Sequence, residues 1–167
     1  IILGGVKIPY SRAFDAHSDG DVLIHAVCDA LLGAIARGDI GRHFPDTDDA
    51  YKDIDSRILL GKVYSLVLEL GYKVGNLDVT VIAQKPKLST YISDIQQSLS
   101  NLLETDNEQI NIKATTTEKL GYIGREEGIA VHSVVLLLKT YKTPRNIIFY
   151  CFFREKLHFF LKMYLHF

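Results

Sequence analysis

The sequence predicts an α+β (α/β-like) fold in which helices cover one face of a mixed sheet. Two observations carry that prediction. Apolar residues recur at three- and four-residue spacing over 21–36, 56–70 and 89–103, the repeat of amphipathic helices. Between and after them lie apolar or alternating runs at 76–84, 109–117 and 129–138, the repeat of strands.

Taken in order, Ile1, Ile2 and Leu3, then Val6, Lys7 and Ile8, read as strand pieces around a Gly4-Gly5 turn. The first helix carries Val22, Leu23, Ala26, Val27, Ala30, Leu31, Ala34 and Ile35. Ser18 or Asp19 is expected to cap it and Gly38 to end it. Residues 41–53 hold Pro45 and a run of aspartates without periodicity, and read as a loop. The second helix stops at Gly71. The strand at 76–84 places Leu77, Val79, Val81 and Ala83 on one face. The third helix has Ile92, Ile95, Leu99, Leu102 and Leu103 as its stripe. A strand at 109–117, a glycine-rich loop to Gly128 and a long apolar strand complete the pattern.

Length and composition narrow the function classes. The 167 residues favour one domain. A net charge of −1 argues against a nucleic-acid binder, which is usually strongly basic. Cys28 and Cys151 are the only cysteines, too few for a disulfide framework or a paired-cysteine zinc site. No apolar run reaches the roughly 18 residues of a membrane span. Residues 143–167 differ from the rest, with eight of the 17 aromatics and a charge of +3, leaving −4 on the first 142. The sequence thus divides into a domain over 1–142 and an atypical tail over 143–167. The tail reads either as an amphipathic segment for a membrane surface or as an extension with no selected role.

Four polar segments interrupt the apolar patterns. The first, 16–21, is followed by His25, which lies one turn from both Asp21 and Asp29. An imidazole flanked by carboxylates suits a metal ligand with an orienting shell, and equally an ordinary core or surface histidine. The second, 38–48, combines glycines that let backbone approach a ligand with aspartates that accept from sugar hydroxyls; a solvated acidic loop has the same composition. The third is Ala83-Gln84-Lys85-Pro86-Lys87 at a strand end, where α/β folds bind ligands. The fourth runs from Lys113 through Thr115, Thr116, Thr117 and Glu118 to Tyr122 and Arg125. Its hydroxyls, with Lys113 and Arg125, suit phosphate oxygens, and Glu118 offers a hard ligand for a divalent cation. An edge strand with its loop is the plain alternative.

Together the blocks AHSDGD (16–21), DALLGA (29–34), GDIG (38–41), FPDTD (44–48), AQKPK (83–87), KATTTEKLG (113–121) and GREEGIA (124–130) resemble those of the 2-C-methyl-D-erythritol 2,4-cyclodiphosphate synthase family, in order and spacing. The resemblance covers residues 1 to about 139. It implies a homotrimer with active sites between subunits and a cytidyl-diphosphate substrate, each site holding zinc and a magnesium or manganese ion. His25 matches a zinc ligand and Glu118 the ligand of the second metal. His17 and Thr116 match the pair that stabilises the transition state. His17 and Ser18 match contacts to the phosphate end, and Asp39, Ile40 and Gly41 contacts near the erythritol. Phe44, Pro45, Asp46, Thr47 and Asp48 match a substrate loop. Ala83, Gln84, Lys85, Pro86 and Lys87, with Thr115, Thr116, Thr117 and Glu118, match the cytidine-diphosphate pocket, and Tyr122 and Arg125 further substrate contacts. The resemblance implies a bacterial-type cytoplasmic location, with a plastid stroma as the alternative.

The same resemblance implies two further zinc ligands, an Asp and a His in a Gly-His-Gly-Phe-Asp-Val-His-like opening that this sequence does not contain. The expectation is an incomplete zinc site and low activity for the chain as it stands, with retained binding of a cytidine nucleotide as the alternative function.

Overall fold

The computed structural model describes residues 1–12, 18–45, 47, 48, 51, 54–140 and 149–159, the last stretch as backbone only. Strands β1 (Ile2–Leu3) and β2 (Val6–Lys7) form a small antiparallel hairpin. Helix α1 (Val22–Ala34) follows, then a short α2 (Ile40–His43) and α3 (Ser56–Glu69). Strand β3 (Tyr72–Ile82), α4 (Ile92–Leu102), β4 (Ile110–Thr115), a short α5 (Gly121–Gly124), β5 (Gly128–Lys139) and β6 (Phe149–Phe159) complete the order.

The sheet runs β4-β3-β5-β6. It is mixed, as expected: β3 and β4 are parallel, and β3–β5 and β5–β6 are antiparallel. Alternation gives it two unlike faces. Leu77, Val79 and Val81 of β3 and Ile129, Val131, Val135 and Leu137 of β5 are buried under the helices. Asp78 and Thr80, with Asn111 and Lys113 beside them and Val134 and His132 on the other side, form a face that stays at least partly exposed. Helix α1 packs between the sheet and α3, which explains why it is apolar nearly all round. A fully buried Leu or Val is worth about 1.5–3 kcal/mol over an exposed one, so this helix anchors the core.

Several boundaries differ from the sequence-based reading. Asp21, not Ser18 or Asp19, caps α1, because its side chain reaches the Ile24 amide three residues on. The third helix begins at Ile92 rather than 89, since a separate turn closes from the Tyr91 amide to the Leu88 carbonyl. Strand β3 starts four residues early, at Tyr72, and carries a bulge at Gly75. A Cβ on Gly75 would lie 2.7 Å from Leu138 Cγ, so the bulge needs glycine. The tail, read as a surface segment or an idle extension, contributes β6, which pairs with β5 from Gly128 to Leu138 and lies against α1. Among the described residues no helix is long and apolar enough to cross a membrane.

Candidate nucleotide pocket and histidine site

Part of the expected site gathers in two clusters. The first lies where the parallel strands β3 and β4 end. Ala83, Gln84, Pro86, Lys87, Leu88 and Ser89 meet Ala114, Thr115 and Thr116 around a cavity of about 180 Å³. A bond from the Ala83 amide to the Thr115 carbonyl (3.0 Å) zips the two strand ends together, and the Lys85–Pro86 peptide is cis. Ala83, Pro86, Leu88 and Ala114 give it apolar walls, with the exposed hydroxyls of Ser89, Thr115 and Thr116 beside them, the mixture by which pockets bury a small molecule and fix it with few polar contacts.

The adjoining turn is held from the same cluster. Gln84 Oε1 accepts from the Lys119 amide (3.0 Å). Thr116 Oγ1 donates to Glu118 Oε1 (2.7 Å) and accepts from the Glu118 amide (3.2 Å). Glu118 and Lys119 both have left-handed backbone, at φ 50° and 68°. Gly124 lets α5 close on this turn, since a Cβ there would lie 2.1 Å from the Lys119 carbonyl carbon.

Some expected ligand groups are engaged elsewhere. Lys85 pairs with Glu126 at 3.1 Å, holding that carboxyl below its usual range, and does not line the cavity. Thr117 donates to the Leu120 carbonyl (2.7 Å). Arg125 is paired with Glu127 through two bonds, at 2.7 and 2.9 Å. Lys113, read as a phosphate group in the sequence, sits on the partly exposed sheet face bound to Asp78 at 2.6 Å. Burial pushes the Asp78 carboxyl up, but the bonds from Lys113 and Asn111 outweigh it and leave it below the ordinary value. On β4, Lys113 shares a face with Thr115 but lies two residues back from the strand end, opposite Thr80 and close to Asp78, so that carboxylate and not the cavity takes its charge. Tyr122 is half-buried in α5.

The second cluster gathers at the start of α1. His25 is half-buried. Its Nε2 lies 2.9 Å from Ser56 Oγ and 3.4 Å from Ser18 Oγ. Ser56 is fully buried at the start of α3. Its hydroxyl donates to Asp19 Oδ1 (2.5 Å), and its amide donates to Asp19 Oδ2 (3.1 Å). The carboxylates expected to flank the imidazole have backbone partners instead. Asp21 accepts from the amides of Gly4 (2.9 Å), Gly5 (2.6 Å) and Ile24 (3.0 Å), tying the β1–β2 turn to α1. Burial pushes its carboxyl up to about 6, against the downward pull of those three donors. Asp29 accepts from the Ile40 amide (2.7 Å) and so places α2.

Asp39 caps α2 through the Arg42 amide (3.0 Å), with Ile40 buried and Gly41 beside its carboxylate. Phe44 stacks edge-on against Tyr51 at 5.4 Å, with Lys62 5.7 Å from its ring. Pro45 and Thr47 are exposed, and the Asp48 amide bonds the Pro45 carbonyl (3.2 Å). His17 and Asp46 lie outside the described residues. Among the described residues no three His, Cys, Asp or Glu side chains converge to hold a metal ion. His25 and Glu118 therefore do not by themselves make the expected zinc and magnesium or manganese sites, because such ions take several protein ligands. Ser56 and Asp19 were missed as site residues; Asp19 reads as a helix cap and Ser56 as the first residue of a helix, and only the fold brings them to His25.

The profile of the YgbB family matches residues 1–138. A 2-C-methyl-D-erythritol 2,4-cyclodiphosphate synthase from Vibrio vulnificus is 61% identical over 139 residues, 83% of this chain and 88% of the relative. Among solved structures, the bifunctional IspDF from Campylobacter jejuni aligns at a TM-score of 0.80 with 48% identity, over 84% of this chain and 38% of that one. An IspF from Plasmodium falciparum, solved as a CDP complex, aligns at 0.71 with 37% identity over 83% of each chain.

Proposed function

This chain belongs to the YgbB family, and we propose that it converts 4-diphosphocytidyl-2-C-methyl-D-erythritol 2-phosphate to 2-C-methyl-D-erythritol 2,4-cyclodiphosphate with release of CMP. The observation that carries the reading is the cavity between Pro86–Lys87 and Thr115–Thr116 at the ends of two parallel strands. It has the apolar walls and hydroxyl rim that a cytidine needs, and a structural neighbour binds CDP.

In the reaction an oxygen of the 2-phosphate attacks the β-phosphorus. A new P–O bond closes the ring as the bond to the bridging oxygen breaks, and the electron pair leaves on CMP. The nucleophile is already an anion at neutral pH, so the chain's task is positioning and charge neutralisation. Lys87 at the cavity rim supplies positive charge to the diphosphate. The Thr116 hydroxyl, now on Glu118, turns to the charge that develops on the transferred phosphorus, with His17 in the paired role. Ser18, Asp39, Ile40, Gly41 and the 44–48 loop hold the erythritol and its phosphate, and Tyr122 and Arg125 make outer contacts.

The partly exposed sheet face, with Val134 and Leu136 on it, supports a homotrimer in which the histidine cluster of one copy meets the nucleotide cavity of the next. Zinc at His25 and magnesium or manganese at Glu118 belong to the same reading. The bacterial relatives favour the cytoplasm over a plastid stroma as the place of action.

The test is CMP release from the cytidyl substrate, with zinc and magnesium supplied, on the wild type and on Glu118→Gln. Release by the wild type and a loss of about 100-fold in the variant are expected for a group that orders the transition-state donors. A second reading, a chain that binds cytidine nucleotides without turnover, is favoured by the lack of a three-ligand group among the described residues. It prevails if CDP binds and no CMP appears. If CDP does not bind at all, both readings fall.

A further inference from the structure

We propose that Asp19 and Ser56 are positioning residues that lock the His25 imidazole in one tautomer, with the proton on Nε2 and the lone pair on Nδ1. The argument is a count of hydrogens. A serine hydroxyl has one proton to give, and a carboxylate has none. The 2.5 Å bond between Ser56 Oγ and Asp19 Oδ1 must therefore take the Ser56 proton. Ser56 Oγ then meets His25 Nε2 at 2.9 Å as an acceptor, so Nε2 is the protonated nitrogen. Ser18 Oγ, at 3.4 Å from the same atom, is too far to compete.

The arrangement holds because Asp19 is itself fixed from three sides. Its Oδ1 also accepts from the Asp21 amide (3.2 Å), its Oδ2 accepts from the Ser56 amide (3.1 Å), and its own amide donates to the Ile54 carbonyl (3.3 Å). The start of α3 thus orients a ring carried by α1. The same three residue types would make a nucleophilic triad in another order, but the polarity here is reversed. In a triad the serine gives its proton to the histidine and the carboxylate holds the far nitrogen; here the carboxylate takes the serine proton, and Ser56 has no solvent exposure. The device presents Nδ1 as the ring's accepting atom, the state required of an imidazole that accepts a hydrogen bond or binds a cation. It deepens the reading above at the His25 end of the site, but the tautomer itself does not depend on turnover.

The experiment is nitrogen-resolved NMR of the histidine rings in the full chain, above the pH at which they titrate, with His25→Gln used to assign the signals. In the wild type, Nε2 of His25 should show the protonated signature and Nδ1 the unprotonated one. Asp19→Ala frees the Ser56 hydroxyl to donate to Nε2, so the populations should move towards the opposite tautomer. Ser56→Ala removes the acceptor with little change of volume and should leave a mixture. If Asp19→Ala does not fold, the wild type and Ser56→Ala decide the matter. A proton on Nδ1 in the wild type, or a wild-type pattern retained in Ser56→Ala, overturns the proposal. Lost turnover with the expected tautomer counts against the functional reading alone, and turnover with the wrong tautomer against this inference alone.

Discussion

Replacing Asp21 with asparagine should change stability with a sign that depends on pH. Asp21 Oδ1 takes the Gly4 and Ile24 amides, and an asparagine carbonyl in that place keeps both bonds. The amide nitrogen then replaces Oδ2 and faces the Gly5 N–H donor-to-donor, where a 2.6 Å bond stood. Loss of that bond costs about 1–3 kcal/mol. Against this, the wild-type carboxyl is pushed up to about 6 from 3.8 by burial, so its ionisation weakens the fold by about 3 kcal/mol once the pH is well above 6. The native state binds more protons than the unfolded one between those values, so this contribution is complete below 3.8 and is lost as pH rises through 6. The carboxamide of the variant does not titrate. Asp21→Asn should therefore be less stable than the wild type by up to about 2 kcal/mol at pH 4.5, where about a third of the contribution is already lost, and equal to it or better by up to about 2 kcal/mol at pH 7.5. Urea denaturation of both proteins at the two pH values measures this, because the difference between them cancels every other titrating group. A difference that does not move with pH, or that grows as pH rises, would refute the burial argument.

Two other substitutions probe the nucleotide cavity and its surroundings. Gly124→Ala drives a Cβ into the Lys119 backbone, and backbone cannot step aside as a side chain can. We expect the 117–120 turn to shift, with a stability loss of about 1–3 kcal/mol and weaker CDP binding by calorimetry; unchanged binding would detach the turn from the cavity. Lys113→Met removes the exposed pair with Asp78. It should cost at most about 1 kcal/mol and leave CDP affinity unchanged, and a marked loss of affinity would return Lys113 to the phosphate role read from the sequence.

Much of this protein was legible along the chain. The helical repeats at 22–34 and 56–69 and the alternation of 76–82 follow from local patterning, because a buried face must recur with the period of its own element. The motif blocks located the cavity residues Ala83, Pro86, Lys87, Thr115 and Thr116, which the fold then brings together. Direction and partnership were not legible, since they depend on neighbours distant in sequence. Lys113 and Thr115 share a motif, but β4 gives Lys113 to Asp78, 35 residues away. Asp21 and Asp29 are one turn from His25 on the same helix, but each holds a backbone amide from another segment. Ser56, which does meet the imidazole, lies 31 positions on. Composition and periodicity determined which segments are core and which carry chemistry. Tertiary structure alone decided which polar atoms face each other, because a hydrogen bond needs its two atoms within about 3 Å and no local pattern records that distance.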